Sequence, residues 1–163
     1  MQATLKKENI VPTGRVRIIQ KKAGTEEIIS IGDWTDNIVV RGTDTGADII
    51  LDRLNGDNTY SLNLTYADIG TSATAPTIAD TVLGAPVARA LKAYGAVSGN
   101  VLTLQYFFTN AALANGTYRE FGTYVDGSAT LSTGKLFNHV LFSSAYVKTS
   151  GVDTTVEVQF TVT

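Results

Sequence analysis

Acid–base or nucleophilic chemistry in this chain would have to run through very few side chains. Among 163 residues there is one histidine, His139, and no cysteine. The lack of thiols removes thiol nucleophiles, disulfides and thiolate zinc sites, and a lone histidine removes multi-histidine metal sites. A Ser–His–Asp triad would need His139 as its base. That residue lies in the run Phe137-Asn138-His139-Val140-Leu141-Phe142, alternating with apolar neighbours, and no G-x-S-x-G elbow occurs in the chain. His139 therefore reads as a packing or surface histidine.

Glycoside hydrolysis would require two carboxyl groups roughly 5–9 Å apart. Glu26 and Glu27 fall in a turn, and Glu120 and Glu157 each alternate with strand neighbours, so solvated or paired strand acids are the simpler reading. The clusters Asp44/Asp48 and Asp52/Asn55/Asp57 do not have the spacing of an EF-hand loop, and capping and turn roles explain them without a metal. Neither glycine-rich phosphate fingerprint is present. Seven tyrosines offer surfaces that stack sugars, or that sit amphipathically at sheet edges and interfaces. The sequence points to no catalytic residue, no cofactor and no metal: the chain reads as a non-enzyme.

The elements that must position these residues are mostly strands. Residues 15–22 and 27–34 are β-rich runs joined by Ala23-Gly24-Thr25-Glu26, a hairpin loop. Ala47, Ile50, Leu51 and Leu54 recur at helical spacing, with Thr45 placed to cap and Gly56 to terminate a two-turn helix. Beyond residue 60 the period is mostly two. Leu62, Leu64 and Tyr66 alternate with polar residues, and 87–97 and 101–109 form a long hairpin about Ser98-Gly99-Asn100. Residues 117–125 lie between the turn pairs Asn115-Gly116 and Asp126-Gly127. Residues 135–142 are apolar on both faces, as in a central or interface strand. At the end Val156, Val158, Phe160 and Val162 alternate with Thr155, Glu157, Gln159 and Thr161. Eight or nine such strands predict an antiparallel β-sandwich over 14–163, with one short helix and an extended N-terminal arm over 1–13.

Hydrophobic residues make up 44% of the chain and charged ones 17%, too apolar for disorder. A chain this long buries roughly 68–70% of its unfolded surface without staples. A net charge of −2 argues against nucleic-acid binding, and no apolar run approaches the ~18 residues of a membrane span. Charge is nevertheless polarised, at +5 over residues 1–22 and −7 over the remainder. Lys6, Lys7, Arg15 and Arg17 in the basic end, with Phe137, His139 and Leu141 on strand 135–142, are the candidate inter-subunit residues.

One pattern extends beyond single residues. Arg119-Glu120-Phe121-Gly122, then Leu136-Phe137-Asn138, Lys148-Thr149 and the alternating run Val156 to Val162 follow one another over 116–163. Upstream stand Trp34-Thr35-Asp36-Asn37-Ile38-Val39-Val40, a helix, and residues 67–89 with their Gly-Thr loop, proline and Asp-Thr-Val-Leu turn. This order resembles tailed-bacteriophage virion proteins, with the insertion Arg41–Gly46 as a departure. The resemblance implies a structural component of the tail, collar, baseplate or fibre, assembled in the host cytoplasm as a symmetric oligomer with copies of itself and other virion proteins. A capsid decoration protein is the alternative within that class, and a carbohydrate-binding module for host glycans the alternative outside it.

Overall fold

The computed structural model describes residues 11–163 as nine strands and one helix. In chain order these are β1 (Thr13–Lys22), β2 (Ile28–Ile31), β3 (Thr35–Val39), α1 (Gly46–Leu54), β4 (Leu64–Gly70), β5 (Pro86–Ser98), β6 (Val101–Phe108), β7 (Gly116–Val125), β8 (Lys135–Lys148) and β9 (Val152–Thr161). Residues 1–10, which hold Lys6, Lys7 and most of the expected arm, lie outside the described residues, and Thr13 already belongs to β1.

The mainly-β expectation with one short helix stands, but the sandwich does not. β1 pairs antiparallel with β9 from Thr13 against Thr161 to Lys22 against Val152. That pairing closes the ring β1-β3-β8-β7-β4-β5-β6-β9 into an eight-stranded antiparallel barrel, with β2 attached outside it. Closure removes the sheet edges that two stacked sheets would leave. The second edge of β1 is shared, residues 14–16 pairing with β3 and residues 19–21 with β2.

The interior of this eight-stranded barrel is packed with apolar side chains. In β9, Val156, Val158 and Phe160 are buried as their alternation predicts, whereas Val162 lies past the strand end and is exposed. Val158 stands between Val16 and Leu104, and Val156 between Ile18 and Tyr106. The Phe137 ring meets Phe160 edge-on at 5.3 Å. The buried Tyr106 hydroxyl donates to the Leu64 carbonyl at 2.9 Å, so its polar end is satisfied in the core. The expected inward row Leu62-Leu64-Tyr66 is corrected, because pairing shifts register between Leu64 and Tyr66. Leu64, Ala67 and Ile69 are buried in the core cluster, while Tyr66 lies beside the Arg89 guanidinium.

The helix forms where expected, and Ala47 and Ile50 face the core as read, but Ile49 joins them and Leu51 and Leu54 do not. Ala47 and Ile49 are buried, and Leu51 and Leu54 are 51% and 72% exposed. Docking occurs through the first turn, where Gly46 lies so close to the Val40 and Phe137 carbonyls that no Cβ would fit. The last turn consequently projects beyond the barrel wall.

Strand β8 carries a bulge that decides which of its residues meet. Thr123 pairs with Asn138 but Tyr124 with Leu136, so Phe137 has no partner across the ladder. Phe137 enters the barrel interior, while Leu136 joins Val40, Leu83 and Tyr124 in a small separate cluster. Beyond the bulge Val140 points inward and His139 outward, beneath the loop 71–85. Phe137 and His139 therefore do not share a face, as plain alternation had placed them.

Candidate functional site

His139 is 4% exposed and lies between two carboxylates. Its Nε2 is 3.0 Å from Glu120 Oε2, and its Nδ1 is 2.7 Å from Asp80 Oδ2. Glu120, on β7, is wholly buried and also accepts backbone N–H bonds from Ala85 (2.7 Å), Gly84 (2.9 Å) and Ser72 (3.3 Å). Asp80, on the loop, accepts from the Thr77 N–H and hydroxyl. Burial disfavours charge on all three groups, and the mutual contacts outweigh it. His139 is held above its ordinary range by Glu120 and Asp80. Glu120 is held below its range by His139 and the Ala85 and Gly84 amides, and Asp80 by Thr77 and His139. The only imidazole of the chain has both nitrogens engaged and no free lone pair for a substrate. The cluster is suited to fastening the loop rather than to general acid–base work.

A second buried ion pair lies in the same cross-strand row. Arg89 stands opposite Asp68, Asp68 opposite Gly122, and Gly122 opposite His139. Arg89 Nε and Nη2 donate to the two Asp68 oxygens, and Nη1 donates to the carbonyls of Ser128, Thr130 and Thr133. The guanidinium carbon is 4.6 Å from the Tyr124 ring centre, and Asp68 also accepts from the Ser132 N–H. Thus one row of residues fastens loop 71–85 at one end and loop 126–134 at the other. Sequence reasoning missed Asp68, Asp80 and Arg89; it read Glu120 as a solvated or paired strand acid, and the fold shows it paired, with His139. The available signal was a charged residue inside an apolar strand run, in Ala67-Asp68-Ile69 and in Ala88-Arg89-Ala90-Leu91.

The candidate inter-subunit residues are placed as follows. Phe137 and His139 are buried within the chain, and Leu141 is half-buried opposite Glu120. Arg17 pairs with Glu157 at 2.7 Å, and Glu157 accepts in turn from Gln105 at 2.7 Å. Arg15 donates twice to Gln159 Oε1, which belongs to the side chain whose amide reaches Thr103. Both guanidinium carbons lie 4.4 Å from the Trp34 ring centre. The two arginines thereby form polar ladders across β1, β9 and β6.

Asp44, Asp48 and Asp52 bring carboxylate oxygens within 4.8 Å of one another along α1, and proximity alone makes them candidate cation ligands. Partial burial and the charges of Asp48, Asp57 and Asp44 push the Asp52 carboxyl up, while Lys135 lies 3.5 Å from Asp44. Of the seven tyrosines, Tyr106, Tyr118, Tyr124 and Tyr146 are buried, which leaves Tyr94, 51% exposed, as the most open stacking surface. At one barrel mouth a cavity of about 450 Å³ is lined by Leu62, Leu102, Phe137, Phe160 and Val162 among others. No helix among the described residues is long and apolar enough to cross a membrane. No protein family, curated protein or solved structure matches this chain.

Proposed function

We propose that this chain is a non-enzymatic structural component of a tailed-bacteriophage virion, joining copies of itself and other virion proteins in the tail, collar or baseplate. The observation that carries the assembly reading is β2. The barrel closes on itself, yet β2 keeps an outer edge that no other described strand pairs. Its Ile28, Ile29 and Ile31 are each 52% exposed. An apolar open edge is a template for strand addition by a neighbouring chain. The non-enzymatic reading is supported by His139, whose two nitrogens are both taken by carboxylates.

The virion assignment rests on the resemblance over roughly residues 30–163, which includes 67–89 and 116–163. Within the fold these stretches pack together: Glu120 and Gly122 of the Glu-Phe-Gly strand hold the loop that contains the Asp-Thr-Val-Leu turn. Capsid decoration is the alternative within this reading. Host-glycan binding rests on Tyr94 and on Phe107, which is 40% exposed two residues beyond the Tyr94 partner Gln105.

Sedimentation velocity over a range of concentrations, with mass spectrometry of banded tailed particles from the source strain, tests the proposal. The expected result is a discrete oligomer that Ile29→Lys dissociates, and the chain present in the particles. A monomer at every concentration and absence from particles would overturn it, and glycan-array binding lost in Tyr94→Ala would replace it with the carbohydrate-binding reading.

A further inference from the structure

The loop 71–85 crosses the outer wall of the barrel with little of its own to hold it. Leu83 is its one buried residue, and Ile78 and Val82 are 57% and 44% exposed. A segment with so few buried apolar contacts belongs to the low-stability end of a fold. Its two ends are tied by the Ser72, Gly84 and Ala85 amides to Glu120. Its middle is held by the Asp80–His139 contact, by the Arg41 amide bonding the Ile78 carbonyl at 2.7 Å, and by Leu83 against Gly122.

Both ring nitrogens of His139 face carboxylate oxygens, at 2.7 Å and 3.0 Å. Carboxylates only accept, so each nitrogen must carry a proton, and only the imidazolium satisfies both contacts. A neutral ring leaves a lone pair directed at one of the two anions. The choice between them follows from burial. Glu120 is wholly enclosed, and leaving its charge unpaired is the costlier outcome. The Asp80 side chain is 24% exposed and can turn to water. The titratable groups facing the ring are Glu120 from β7 and Asp80 from the loop; β3 presents Ile38 opposite it, and Gly122 separates it from the Asp68–Arg89 pair.

We propose that His139 is a charge-operated latch: as an imidazolium it fastens loop 71–85 over the barrel wall, and loss of its Nδ1 proton frees Asp80 and releases the middle of the loop. Release opens the small cavity of about 120 Å³ among Ser72, Thr77, Val82 and His139, and loosens Leu83 from Leu136 and Tyr124. The direction is fixed: the loop is closed while His139 is protonated and opens as pH rises through the His139 transition. The fastened-to-released ratio falls roughly tenfold for each pH unit separating the His139 pKa values of the two states.

The full chain tests this directly, because its single histidine gives an unambiguous imidazole ¹⁵N signal. Hydrogen exchange at the Leu83 amide, which donates to the Tyr124 hydroxyl at 3.3 Å, reports the loop, and the Val156 amide reports the barrel. The expected result is a ring protonated on both nitrogens at low pH and on Nε2 alone above its transition. Leu83 protection should fall relative to Val156 through the same transition, after correction for intrinsic exchange. Asp80→Asn, at a partly exposed side chain, should abolish that step and lower the His139 transition. Leu83 protection that tracks Val156 throughout, a ring with one protonated nitrogen at low pH, or an unchanged step in Asp80→Asn would each overturn the latch.

Discussion

Leu83 packs against the bare Cα of Gly122. A Cβ at position 122 would lie 2.7 Å from Leu83 Cδ1 and 2.7 Å from the Asn138 carbonyl oxygen. No positive φ is recorded at Gly122, so the requirement for glycine is one of space alone. Gly122→Ala is therefore expected to cost about 1–3 kcal/mol, the range for forcing volume into a packed site. Because the obstructed neighbour is on loop 71–85, the loss should also appear as faster exchange at Leu83. Urea denaturation and exchange of the variant check both, and an unchanged midpoint would show that the neighbours relax.

The pH profile of stability follows from the same cluster. His139 is held above its unfolded value of 6.5, so its contribution is full below that value and is lost as pH rises through the folded one. Glu120 and Asp80 are held below 4.5 and 3.8, so their contributions are full above those values and are lost as pH falls through the folded ones. Stability from these groups should peak between about pH 4.5 and 6.5 and decline on both sides. Urea midpoints measured from well below to well above that range test it, and His139→Gln should flatten the alkaline decline. A midpoint that rises steadily above neutrality would contradict the assignment.

Arg89 and Arg17 both pair with carboxylates, yet the same substitution should separate them. The Arg89 and Asp68 side chains are 3% and 0% exposed, and the guanidinium serves two carboxylate oxygens and three carbonyls at once. A lysine cannot reproduce that fork, so Arg89→Lys leaves Asp68 poorly paired in the interior and should cost about 3 kcal/mol or more. Arg17 is 27% exposed, and Glu157 keeps its bond from Gln105 without it. Arg17→Lys should cost about 0–1 kcal/mol. Equal losses in equilibrium denaturation would mean that burial does not set the difference.

What the sequence made legible was local, and what it hid was long-range. Alternation in Val156 to Phe160 and the Ser98-Gly99-Asn100 turn are short-range signals, and β9 and the β5–β6 hairpin follow them. Sandwich and barrel share that alternation. They differ in whether Thr13 meets Thr161, a pairing set by chain closure rather than by any local period. The bulge at Phe137 had the same effect on the site. It turned His139 toward Glu120, and nothing in Phe137-Asn138-His139 reports that one residue there lacks a cross-strand partner. Asp80 was readable as a turn residue beside Thr77, but its second contact depends on where a fifteen-residue loop comes to rest.

The helix offers the sharpest test of how position overrides periodicity. By spacing alone, Leu54 and Leu51 belong to the apolar face with Ala47 and Ile50. In the fold the helix docks through Gly46, Ala47 and Ile49, and Leu54 is 72% exposed while Ile49 is wholly buried in the main core. Truncating Ile49 removes core contacts and leaves a cavity, whereas truncating Leu54 removes a side chain that is mostly hydrated already. Ile49→Ala should cost about 2–5 kcal/mol. Leu54→Ala should stay within about 0.5 kcal/mol of the parent, since alanine is also the better helix former. Denaturant midpoints of the two variants decide between the faces: a large loss at Leu54 with a small one at Ile49 would restore the face read from spacing and reject this docking of the helix.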